Sequence, residues 1–184
     1  MAEKNSLART LHDAGLATWF GGTLMGAVGL NGAAAQVDDP SQRSRVANAG
    51  WGRWTPVNLS AIGAHLAGAI ALTWANKGRI AGQRGVATTS GAKTLVTLAA
   101  LGATAYARAL GQRVMNAGDV PVAGGTDPQA GTPPQVADAQ RQLDSLQWVI
   151  AGLTGTLLVL NAVMGEQQRP KQVARGFWDR LTNA

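Results

Sequence analysis

Residues 14–37, AGLATWFGGTLMGAVGLNGAAAQV, lie between Asp13 and Asp38 and contain no charged side chain in 24 positions. A helix of about 20 mostly apolar residues crosses the hydrocarbon core of a bilayer, so this stretch is long enough to span one. A helix on the surface of a soluble bundle carries charge on its outer face, and this one carries none. The same measurement finds more such runs along the chain. Arg53 and Lys77 enclose 23 residues interrupted only by His65, and Asp144 and Glu166 enclose 21. A shorter run of 14, TLVTLAALGATAYA, lies between Lys93 and Arg108. Extended at either end it takes in one cation within about two turns of its terminus, where a long stem can reach the headgroups. The expected fold is therefore an all-α integral membrane protein, a bundle of four transmembrane helices over about 13–35, 55–76, 92–112 and 145–165.

Composition agrees once it is divided among these segments. Of 184 residues, 58 are Ala or Gly, and only 14% are charged, against about 25% in a typical soluble domain. The mean hydropathy near zero averages uncharged runs with polar connections. The absence of Cys excludes disulfide scaffolds, zinc–thiolate sites, iron–sulfur clusters and thiolate nucleophiles. The N-terminus imitates a signal peptide, with Lys4 and Arg9 before an apolar stretch and Ala33–Ala35 after it. The apolar stretch exceeds the roughly 7–15 residues of a signal core, and a retained first helix is expected.

Four crossings leave both termini on one side. Ten cations fall on that side, in the N-terminus, the 77–93 connection and the tail, and six on the other. The connection has no acid, whereas Asp38, Asp39, Asp119, Asp127, Asp138 and Asp144 all lie opposite. Positive charge retained inside places both termini in the cytoplasm and the protein in the plasma (inner) membrane. Trp51, Trp54 and Trp148 are expected at the outer interface, Trp74 at the inner one, and only Trp19 deep within a span. The cations flank spans, so the net charge of +6 points to sidedness and the lipid bilayer, not to nucleic acid.

Four of the seven prolines fall within 114–134, which reads as an irregular external loop. Thr132-Pro133-Pro134 suits a helix start, with Thr132 as cap. An unbroken helix from about 134 to 168 would measure roughly 50 Å and project from a core of about 30 Å. Its outer turns are either a solvated extension or a surface for a partner. The tail over 170–182 places Val173, Phe177 and Leu181 on one face, as in an amphipathic helix lying on the inner leaflet.

Within lipid, helices associate through small residues and interhelical hydrogen bonds. Gly22/Gly26, Ala64/Gly68 and Ala151/Gly155, each four residues apart, are the expected packing positions. Asn31 and Asn58 are expected near the outer ends of neighbouring spans, able to bond to each other, and Asn161 near the inner end of the fourth.

No Ser/His/Asp set, nucleotide loop or acidic pair is present, so no catalytic residue is assigned. The candidate binding residues are His65, near the middle of the second span, and His12, at the start of the first. An ionisable group inside a membrane is a functional candidate by default. Paired histidines can ligate haem iron, but a rise of 1.5 Å per residue places these two about 10–15 Å apart in depth. Met25, Met115 and Met164 are scattered and form no soft-ligand cluster for copper. No cofactor is expected on this reading, with haem or copper as the alternatives.

Leu11-His12-Asp13-Ala14-Gly15-Leu16-Ala17-Thr18-Trp19-Phe20-Gly21-Gly22 resembles the first helix of copper-resistance-D-like and related four-helix membrane proteins. The resemblance implies a membrane bundle, with copper or another metal carried on His12. His65-Leu66-Ala67-Gly68 echoes His12-Asp13-Ala14-Gly15, a pattern of little weight in helices so rich in Ala and Gly. The small-residue faces, the projecting helix and the lack of a catalytic set lead to a non-enzymatic accessory or assembly subunit, associated with other membrane-protein subunits. The alternative is a haem- or metal-binding redox or transport protein centred on His65, with His12 as a possible second ligand.

Overall fold

The structure, a computed structural model, describes residues 5–82 and 84–167; the expected amphipathic tail lies outside them. The described residues are predominantly helical and include no strand. Helix α1, Ser6–Met25, passes through a π-helical turn over Gly26–Leu30 into a short α2, Asn31–Ala35, so a single rod covers the first uncharged run. Helix α3, Pro40–Gly82, starts on Asp39, whose carboxylate accepts the Ser41 amide at 2.9 Å. Pro40 takes the first position, where no amide hydrogen is needed.

Helix α4, Arg84–Asn116, is left through Gly118, whose φ of 74° suits a residue without Cβ. Helix α5, Pro134–Gln167, is unbroken over 34 residues. Thr132 does not cap it: its hydroxyl donates to the Pro121 carbonyl at 2.6 Å. The Pro133 carbonyl closes the first turn instead, accepting the amides of Val136 and Ala137.

The four long helices form a ring. α1 packs on α3 and α5, α4 packs on the same two, and α3 and α4 make the sparsest of these contacts. Gly22 meets Trp54 while Gly68 meets His12, so α1 and α3 are antiparallel. All four helices supply the core of Leu16, Trp19, Ile62, Ala100, Ile150 and Leu157. Trp19 is buried within it, as expected. A second cluster, Leu110, Val114, Val136 and Ala139, joins the end of α4 to the first turns of α5.

The expected irregular loop is folded onto that end of the ring. Gln140 Nε2 donates to the Gly124 carbonyl at 3.1 Å and to that of Gly125 at 3.3 Å, and Val122 is buried. Arg43 donates to the Val37 carbonyl at 2.6 Å, and Arg45 pairs with Asp119. The outer turns of α5, expected to project, are thus covered on one side by the chain's own loop.

Two helices are long and apolar enough to cross a membrane by length and composition, within Pro40–Gly78 and Pro134–Gly165. Only 17% and 22% of their most apolar windows are buried, whereas the core helix of a soluble protein buries most of such a stretch. Leu59, Ile70, Leu95, Leu98 and Val159 all face outward. Several hydroxyls along the helices are satisfied without water: Thr23, Thr55, Thr73, Thr97 and Thr154 donate to carbonyls of their own helix.

Candidate functional site

The two His-x-x-Gly segments pack against each other. A Cβ on Gly15 would collide with the Ala61 carbonyl and the His65 backbone; one on Gly68 would collide with the Ala8 carbonyl and the His12 backbone. Each glycine therefore seats the opposing histidine's main chain, and α1 and α3 reach backbone contact at both points. The result is a pair of buried imidazoles, His12 and His65, with ring centroids 4.3 Å apart and planes at 47°.

This corrects the depth expected for the pair. α3 continues to Gly82, beyond the uncharged run used to mark its inner end, so α3 overhangs α1 there. Their register is set by the glycine contacts and not by where the charges fall. The echo between the two segments, of little weight in sequence, marks the packing relation itself.

Each long helix adds one part of the surroundings. His12 Nδ1 lies 2.9 Å from the Asp13 carboxylate, both on α1. His65 Nδ1, on α3, lies 2.9 Å from the His12 carbonyl oxygen, so that nitrogen carries the hydrogen. Lys93 Nζ, on α4, lies 2.7 Å from His12 Nε2. Asn161 Nδ2, on α5, donates to Asp13 at 3.2 Å. With both oxygen contacts made through Nδ1, both rings are Nδ1–H tautomers. A Lys93 ammonium donating to His12 Nε2 requires a free lone pair there, so His12 is neutral whenever Lys93 is charged. His65 Nε2 and Trp19 Nε1 are buried without a hydrogen-bond partner, with the two rings edge to face. Beside the pair opens a cavity of about 700 Å³, whose polar lining includes Arg9, Asp13, Lys93, Thr97 and Asn161.

A haem does not fit between these rings. Metal–nitrogen bonds of about 2 Å on opposite faces of one iron set the ring centres about 6 Å apart, well beyond the observed 4.3 Å. An ion held from one side by both imidazoles would have to displace Lys93 from His12. Among the described residues no group of three His, Cys, Asp or Glu is arranged to hold a metal. Met164 lines the cavity but Met25 faces outward.

The other expected positions divide. Gly22 and Gly26 receive the indole rings of Trp54 and Trp51 in place of another backbone, and both indoles are half-buried against α1. Trp74 and Trp148 remain exposed. Gly155 lies under the Phe20 ring, Ala151 is buried and Ala64 is half-buried. Asn31 and Asn58 do not bond to each other. Asn31 donates to Gln147 and accepts from Trp51 Nε1, each at 2.9 Å.

Lys93, Asp13 and Asn161 had no part in the expected site. Lys93 was expected to reach toward headgroups, and it turns inward. The signal available was that this lysine shortens an otherwise uncharged run to 14 residues. Comparison with family models, curated proteins and solved structures finds no match.

Proposed function

We propose that the chain is a four-span protein of the plasma membrane with both termini in the cytoplasm, working in proton-coupled transport through the His12–His65–Lys93 cluster. The threading is supported by the mostly outward-facing apolar windows of α3 and α5, and by exposed Trp74 with Lys77 Nζ 5.7 Å from its ring at the expected inner end. The observation that carries the proton reading is the unbroken line of exchangeable groups from Asp13 through both nitrogens of His12 to Lys93. Asp13 opens to the surroundings with 62% of its side chain exposed, while His12 is buried. Chains of Asp, His and Lys within a bundle serve proton transfer because each can lose one proton as it gains another. The adjacent cavity gives a solute a place next to the titrating groups.

Nitrogen-15 spectra of histidine-labelled protein in lipid nanodiscs test this proposal. Both imidazoles should be Nδ1–H tautomers at neutral pH and should titrate as a coupled pair, with protonation of either shifting the resonances of the other. Lys93→Met should change the titration of both. Two independent titrations of ordinary free-imidazole type, unaffected by Lys93→Met, would refute the proton role.

A second reading, metal transport or redox chemistry, is favoured by His65 alone. Its Nδ1–H is fixed on a carbonyl while its Nε2 lone pair is buried and unused, as in many metal-binding histidines. Stoichiometric copper or zinc in the purified protein, lost in His65→Ala, selects it. The accessory-subunit reading draws on Gly63, Gly102 and Gly152, where nothing lies within 4 Å of an added Cβ and another helix has room to approach. Co-purification in mild detergent tests that reading.

A further inference from the structure

The α3–α4 seam that holds the histidine cavity opens into a second cavity of about 450 Å³ toward the loop-bearing end of the ring. Leu101 lines both cavities, and the core around Trp19 and Ile62 lies between the two ends. The indoles of Trp51 and Trp54 form much of the second wall, with Ile62, Leu101 and Ile150 completing an apolar interior.

Three buried polar atoms of its lining have no hydrogen-bond partner: Trp54 Nε1, Asn58 Oδ1 and Thr104 Oγ1. Their lack of partners contrasts with their neighbours. Trp51 Nε1 is bound by Asn31, and Thr55 is back-bonded to the Trp51 carbonyl. Buried polar groups in folded chains are nearly always paired, and those that are not mark an expected bonding partner. The inventory is chemically specific. Trp54 can only donate, Asn58 presents an unused acceptor, and they stand four residues apart on one face of α3, where side chains are neighbours. Thr104, on α4, lines the same cavity and can do either. No carboxylate occurs among the described lining residues, and the single cation, Arg108, is exposed and turned to the Met115 sulfur.

We infer that this outer cavity binds a small neutral molecule of the phenol or alcohol class, an apolar ring or chain carrying one hydroxyl. A small turn of the Trp54 and Asn58 side chains opens these covered atoms to the cavity; the hydroxyl oxygen then accepts the Trp54 indole hydrogen, and its own hydrogen is donated to Asn58. The apolar body lies among Trp51, Ile62 and Leu101. A fragment-sized, mainly apolar pocket with a few converging polar groups is the usual form of such a site. An anion finds no buried cation in this lining. The inference stands on this cavity alone and holds whether or not the histidine cluster handles protons.

Phenol and toluene are the paired probes, differing in the hydroxyl alone. Saturation-transfer NMR on the full chain in nanodiscs should show saturable phenol binding, at least about tenfold tighter than toluene, the scale of one well-made buried hydrogen bond. Asn58→Leu should weaken phenol by a similar factor while leaving toluene unchanged or tighter. Trp54→Phe, which keeps an aromatic wall without the donor, should give the same loss and guards against a folding defect in the first variant. Unchanged histidine spectra in both variants establish that the ring is intact. Equal affinity for the two probes, non-saturable partition like that into empty nanodiscs, or phenol binding indifferent to both substitutions would each overturn the inference.

Discussion

Gly15 and Gly68 set the distance between two helices by what they lack. With hydrogen in place of Cβ, each lets a main-chain segment of the opposite helix approach to contact, and the histidines are carried along with it. Gly68→Ala forces a methyl into the His12 backbone, which cannot yield as a flexible side chain would. A loss of about 1–3 kcal/mol is expected, read as a lower unfolding midpoint in detergent together with altered histidine spectra. Gly63→Ala, on the same helix in open space, should be neutral or stabilising by up to about 1 kcal/mol, since alanine is the better helix former. The contrast also indicates what was readable beforehand. His12 and His65 were identifiable as candidates because ionisable groups are rare in such runs. Their pairing was not, because periodicity fixes the face a residue takes around its helix and leaves the slide between two helices undetermined. Lys93 was misread for a related reason: a long cation near a span end has two ways to be satisfied, and only the neighbour from α1 decides between them.

At the scale of elements, uncharged run length anticipated every long helix, and α5 extends from Pro134 to Gln167 as its breaker-free pattern implied. The loop after α4 was legible only as irregular, since Gly- and Pro-rich sequence has no period from which to read contacts. Its order comes from distant polar groups such as Gln140 and Arg45. The Arg45 guanidinium holds the Asp119 carboxyl below the ordinary carboxylate range, and hydrogen bonds from Ser41 do the same for Asp39 at the start of α3. A lowered folded pKa contributes order above the unfolded value, about 3.9, and loses it as pH falls through the folded value. Asp119→Asn should therefore reduce amide protection over residues 118–122 at pH 7, measured by hydrogen exchange. Wild type and variant should converge only as pH falls from about 3.9 through the lowered folded value of Asp119, and also in high salt. Global stability should hardly change, because both partners are exposed. Equal protection at neutral pH and low salt would remove the pair from any role in ordering the loop.

For the whole molecule, the proposed threading makes the sides of the ring chemically distinguishable. The chain has no cysteine, so single replacements report without background. Ala117→Cys, just beyond α4, should react with an impermeant maleimide on intact cells, and Gly78→Cys only after the membrane is opened. The reverse pattern would invert the orientation, and labelling of both from outside would break the four-span reading. The histidine cluster gives the ring one more property, which concerns how it is made. Its side chains come one helix at a time, from α1, α3, α4 and α5, so the last arrives only when synthesis is nearly finished. Until α4 meets α1, the Lys93 ammonium has no His12 nitrogen to bond. On the proposed threading, a chain stalled at that stage holds a Lys93 ammonium within the bilayer without its hydrogen-bond acceptor. The polar cluster is therefore complete only when all four long helices are in place.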